Sequence, residues 1–112
     1  MKTPAIEQCL AHYLAGTKVD REIERAAVKD VLAAVESKAS GKSVELRIPP
    51  YAAIQVVEGP NHRRGTPSAV VEMNARTLIE LAVSLNTWEK AVQSGSILAS
   101  GERSNLAHLF PC

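Results

Sequence analysis

The sequence predicts an α+β fold, with a mainly antiparallel sheet covered on one face by helices and one domain spanning residues 1–112. Two observations lead there. Apolar residues recur at helical spacing through the first third of the chain, and the period then switches to strict alternation at Val44, Leu46 and Ile48. Beyond that point, short strand-like and helical stretches are separated by Gly, Pro, Asn and Thr, residues that end one element and cap the next. With 112 residues, 46% of them hydrophobic, the chain is long enough for one core. A domain of this size buries roughly 65% of its unfolded surface, so any ligand cavity competes with that core for the same apolar side chains.

Thr3 before Pro4 is a helix start, because the hydroxyl can cap free N–H groups and proline suits the first helical position. Ile6, Leu10, Tyr13 and Leu14 continue the pattern to Gly16. A second helix starts near Val19 or Asp20, buries Ile23, Ala27, Val31, Ala34 and Val35, and ends at Ser40-Gly41. Residues 44–48 form a half-buried strand stopped by Pro49-Pro50, and 52–57 return beside it as a hairpin with Tyr51 at the turn.

The polar segment 59–68 is a loop, and 69–73 is a third strand. Asn74 caps a helix whose stripe is Leu78, Leu81, Ala82 and Leu85. Thr87 caps a short helix with Trp88, Ala91 and Val92, which Gly95 closes in a left-handed turn. A strand over 97–100 and an amphipathic helix over 104–110 complete the order.

Charge and composition exclude several function classes. Thirteen basic and twelve acidic residues give a net charge of +1 with no basic block, and aromatics make up 4%, so neither the electrostatic footprint nor the stacking platform of a nucleic-acid binder is present. No stretch has the length of a signal peptide's apolar core or of a membrane span, so the expected location is the cytoplasm, without integral membrane contact. Cys9 and Cys112 stand far apart with no metal-ligand spacing, and both read as reduced thiols. His12, His62 and His108 fall on three separate segments, so no catalytic residue, metal site or cofactor is expected.

The Gly59 to Thr66 loop departs from a phosphate-binding loop in spacing, in having Arg64 before its second glycine, and in leading to a strand. It retains His62, Arg63, Arg64 and Gly65 as a candidate anion-binding turn, to be weighed against a plain solvated connector. Glu58 and Glu72 flank it and read as ion-pair partners of Arg63 or Arg64.

The stretch EMNARTLIELAVSLNTWEKAVQSGSILASG, from Glu72 to Gly101, resembles the C-terminal half of sterol-carrier-protein type 2 domains, with Ala91 and Gly95 matching an alanine-x3-glycine step and Gly101 a closing glycine. SVELRIPP, VEGPNHRRGTP, TW and ASG together resemble the small stand-alone bacterial branch of the sterol-carrier-like families over nearly the whole chain. Ser84 stands where that pattern commonly has glycine, and Asn105 where it commonly has aspartate.

The resemblance implies a sheet covered by helices, with an apolar tunnel between them and a C-terminal helix near its mouth. Carried over by position, it makes Leu78, Leu81, Leu85, Trp88 and Val92 the wall and Leu106 and Phe110 the lid. The expected function is non-enzymatic binding of an apolar or amphipathic small molecule. The alternatives are a protein-interaction or homodimerisation module, or an accessory to a thiol-dependent enzyme.

Overall fold

The structure is a computed structural model, described over residues 1–59, 69–101 and 103–112. Its first helix starts behind the expected Thr3 cap, and its second starts at Arg21, beside the expected start near Val19 or Asp20. In α1 (Pro4–Ala15) the Thr3 hydroxyl accepts from the Ile6 N–H, and Gly16 closes the helix at φ 72°. In α2 (Arg21–Lys38) the Asp20 carboxylate accepts from the N–H groups of Glu22 and Ile23. One stripe of α2, made of Ala27, Val28, Val31, Leu32 and Val35, is buried. Burying such branched side chains contributes about 1.5–3 kcal/mol each.

Four strands follow: β1 (Ser40–Ile48), β2 (Ala52–Val56), β3 (Ala69–Met73) and β4 (Ile97–Gly101). Their spatial order is β2-β1-β3-β4. The β1–β2 and β3–β4 pairs are antiparallel, whereas β1 and β3 run parallel, with Leu46 opposite both Ile54 and Val71. The sheet is therefore mixed rather than purely antiparallel. Strands β2 and β3 lie on opposite sides of β1, a pairing between distant segments that alternation within a strand does not encode.

The pleat separates two faces. Val44, Leu46, Ile48, Val56, Ala69, Val71 and Met73 are buried with α2 in one cluster of apolar side chains. On the opposite face Arg47 Nε pairs with Glu45 Oε1 at 2.5 Å and sits in register with Glu72. Exposed pairs of this kind contribute about 0–1 kcal/mol, so they keep the face polar more than they stabilise it.

Strand β1 begins four residues earlier than the alternation predicts. Ser40 and Val44 both lie opposite Val56, which marks a bulge. The bulge sits against Val57, a β-branched residue at φ 66° whose carbonyl accepts from both the N–H and the hydroxyl of Ser43, at 3.0 and 2.6 Å. Gly41 makes the close approach possible: a Cβ there would lie 2.2 Å from the Val57 carbonyl carbon.

Helices α3 (Ala75–Ala82) and α4 (Trp88–Gln93) are capped by Asn74 and Thr87, whose side chains accept from the N–H groups of Thr77 and Lys90. Gly95, at φ 78°, ends α4 in a Schellman turn, with Ser96 N–H donating to Ala91 C=O at 2.9 Å and Gly95 N–H to Val92 C=O at 3.1 Å.

The expected helix over 104–110 is not formed. Only a 3₁₀ turn, Ala107–Leu109, occurs there. Seven residues are too few to hold a helix by themselves, and the residue before a proline, here Phe110 before Pro111, is pushed out of helical geometry; its φ and ψ are −120° and 144°.

These backbone features predict a graded response to alanine. Gly95→Ala meets no neighbour within 4 Å but must hold a left-handed φ, so it should cost about 1 kcal/mol in urea or thermal melts. Gly41→Ala combines a φ of 150° with the Val57 clash and should cost clearly more in the same melts.

Candidate functional site

The helices and the C-terminal segment meet at one rim of the core. Helix α3 stops at Ala82, Val83 caps it, and Ser84 turns the chain at φ 66°, carrying Leu85 away from the apolar stripe. Thr87 then starts α4, whose buried residues are Trp88 and Ala91. Across from this corner the last residues pack back on the core through Leu106 and Leu109, both buried. Between the two lies a cleft of about 250 Å³. Leu81, Trp88, Ala107, Phe110 and Pro111 form its apolar wall, and Ser84, Asn86, Thr87 and Glu89 its polar rim.

The C-terminal segment is held from outside the cleft as well. The Lys38 ammonium donates to the carbonyls of Leu109 and Pro111 at 3.0 and 2.8 Å, and the Cys112 N–H donates to Ala82 C=O at 3.1 Å. Burial pushes the Cys112 thiol pKa up, partly offset by the Lys38 charge.

Of the seven candidate wall and lid residues, the structure brings Leu81, Trp88 and Phe110 together in this cleft. Leu78 and Leu106, at 0% exposure, are buried in the core cluster and do not line the cleft. Leu85 is 67% exposed because α3 ends three residues before it, which breaks the stripe that the spacing suggested. Val92 is 43% exposed and lines a different, shallow groove of about 400 Å³ along β4, with Val70 and Leu98. The candidate anion residues His62, Arg63, Arg64 and Gly65 lie outside the described residues, as do the arginine partners suggested for Glu58 and Glu72.

His12 shares a 2.7 Å hydrogen bond between its Nδ1 and the Thr17 hydroxyl just past the end of α1, and His108 is exposed. Among the described residues, no three His, Cys, Asp or Glu side chains gather as a metal site, and no helix is long and apolar enough to cross a membrane.

One polar cluster lies apart from these candidates. The Glu24 carboxylate accepts from the Tyr13 hydroxyl on one oxygen and from the Tyr51 hydroxyl, at 2.6 Å, on the other. Arg76 lies over the Tyr13 ring at 5.2 Å and Arg25 over the Tyr51 ring at 5.7 Å. Nothing in the sequence pairs these groups, since the two tyrosines stand 11 and 27 positions from Glu24. Desolvation, with the adjoining Glu24 charge, pushes both phenols up, Tyr51 to about 12, and burial also raises the thiol of Cys9 beside Tyr13.

The fold and the cleft together define a small α+β protein with an apolar recess at the rim of its core. Residues 20–112 match the model of the family described as "Bacterial SCP ortholog", and the chain belongs to that sterol-carrier-like family. A comparison with curated proteins gave no match.

The tyrosine cluster predicts a specific alkaline response. The folded-state phenol pKa values lie above the ordinary value of about 10, so their contribution to stability is complete below that pH and is lost as the pH climbs toward 12 and beyond. Tyrosinate absorbance should therefore appear late in the native protein, together with unfolding. In Glu24→Gln it should appear earlier, because the carboxylate that disfavours the phenolates is gone.

Proposed function

We propose that this protein is a non-enzymatic carrier, with a sterol-carrier-protein type 2-like fold, that binds an apolar or amphipathic small molecule in the cleft of Leu81, Trp88 and Phe110. The observation that carries this reading is the convergence of those three side chains, from α3, α4 and the C-terminal segment, on one recess with an apolar wall and a polar rim. Membership in a sterol-carrier-like family supports it from an independent direction.

At about 250 Å³ the recess falls below the range of roughly 300–1,000 Å³ that encloses a drug-sized ligand. A long chain or ring system would therefore be held at one end and extend past the rim. No cofactor or catalytic group enters this mechanism. The ligand's apolar surface leaves water against Leu81, Trp88 and Ala107, while its polar end stays with Ser84, Asn86 and Thr87.

The chain has one tryptophan, and it stands in the cleft wall, so binding reports on itself. Titration with decanol should shift Trp88 emission. Phe110→Ala should weaken that binding several-fold with a small change in melting temperature, since Phe110 is only partly buried. Leu106→Ala should instead lose about 2–5 kcal/mol of stability as a core cavity mutant, with any binding loss following the unfolded fraction. A Trp88 signal that none of decanol, fatty acids or sterols can move would sink the carrier reading.

A further inference from the structure

The cleft also has a charge preference, and it is not the one a fatty acid needs. Among the described residues, nine line it; Glu89 alone of these carries a formal charge, and none is Lys, Arg or His. The chain has one tryptophan and one phenylalanine, and both line this same cleft. Two aromatic rings and a carboxylate, with no lining cation, are the groups that attract a soft organic cation. The ring quadrupoles favour a positive charge at short range, most strongly for tryptophan, and the carboxylate adds Coulomb attraction at the rim.

Among the described residues of the rim, the start of α4 is the part that could favour an anion. That helix has only six residues, its cap hydroxyl already accepts from Lys90 N–H, and Glu89 occupies its first turn. Two cations touch the C-terminal segment, Lys38 through the Leu109 and Pro111 carbonyls and the Met1 ammonium through the Cys112 carbonyl, and neither residue lines the cleft.

Resting on the carrier reading above, we propose that the cleft selects amphiphiles with a cationic head, of the alkylammonium class. The head lies against Trp88 and Phe110 beside Glu89, and the alkyl chain runs along Leu81 and Ala107. A carboxylate of equal chain length finds no cationic side chain in the lining and meets Glu89 instead. A quaternary ammonium group suits the site because it is weakly hydrated and loses little on leaving water. Glu89 is exposed, so salt screens its share of the preference while the aromatic share persists.

The test uses the full chain and three probes that share a decyl chain: decyltrimethylammonium, decanol and decanoate. Each is titrated below its micelle concentration at low ionic strength while Trp88 emission is followed. The expected order of affinity is ammonium, then alcohol, then carboxylate, with several-fold steps. Glu89→Gln should narrow the gap between ammonium and carboxylate. Phe110→Leu, which keeps apolar volume but removes the ring, should weaken the ammonium probe more than the alcohol.

Decanoate binding as tightly as the ammonium probe would overturn the charge proposal and leave the carrier reading standing. So would an ammonium-to-alcohol ratio unchanged in both variants. If none of the three probes moves Trp88, the carrier reading falls at this cleft and the charge proposal falls with it. Melting curves of both variants establish that each is folded during the titrations.

Discussion

The packing of α2 against the β1–β2 hairpin is the constraint on which the remainder rests. Its stripe of Ala27, Val28, Val31, Leu32 and Val35 is buried in one cluster with the inward side chains of the sheet, and α1 and α3 pack on α2 in turn. Leu46, Ile48, Val28, Val31 and Val35 all have zero exposure, so the space between sheet and helix is taken by side chains. A tunnel through it would have to displace groups worth about 1.5–3 kcal/mol each. The cleft of about 250 Å³ lies instead at the rim, where α3 gives out and the C-terminal residues fold back. Apolar packing alone leaves a helix some freedom to rotate; the two phenols on Glu24 remove it by tying α2 to α1 and to the hairpin turn.

The same economy explains where backbone strain is tolerated. Val57 holds a left-handed φ that a β-branched residue resists, at the point where the chain leaves β2. It is over-determined: Ser43 donates twice to its carbonyl, its own N–H donates to Ala39 C=O at 2.9 Å, and Gly41 leaves space for its backbone. Three local contacts thus offset a cost of order 1–3 kcal/mol. The outcome is a bulge that bends the start of β1 against the end of β2.

The sequence made legible whatever depends on neighbours in the chain. Thr3, Asn74 and Thr87 cap the helices the sequence assigns them, because a short polar side chain ahead of an apolar stripe satisfies an N–H three residues on. The Tyr51 turn and the Gly95 stop are local in the same sense. What stayed hidden is set by distant segments. The parallel β1–β3 pair, the Tyr13–Glu24–Tyr51 cluster and the burial of Leu106 all need the tertiary structure. For the cleft, the family resemblance pointed by position to Leu81, Trp88 and Phe110, whereas Leu85 misled because a stripe of leucines runs past the true end of α3 at Ala82.

The C-terminal residues, which the family resemblance would make a lid, are anchored at several points. A lid must be held weakly enough to lift. Here Leu106 and Leu109 are buried on one side of Phe110, Lys38 binds the carbonyls on both sides of it, and Cys112 N–H is tied to Ala82 C=O. Lifting that segment would break these hydrogen bonds together and expose two leucines, a large fraction of the 5–15 kcal/mol that stabilises a typical protein. Phe110 itself is only half-buried between these anchors. It lines the cleft from a backbone held on both sides, and rotamer changes of partly exposed side chains are fast compared with segment opening.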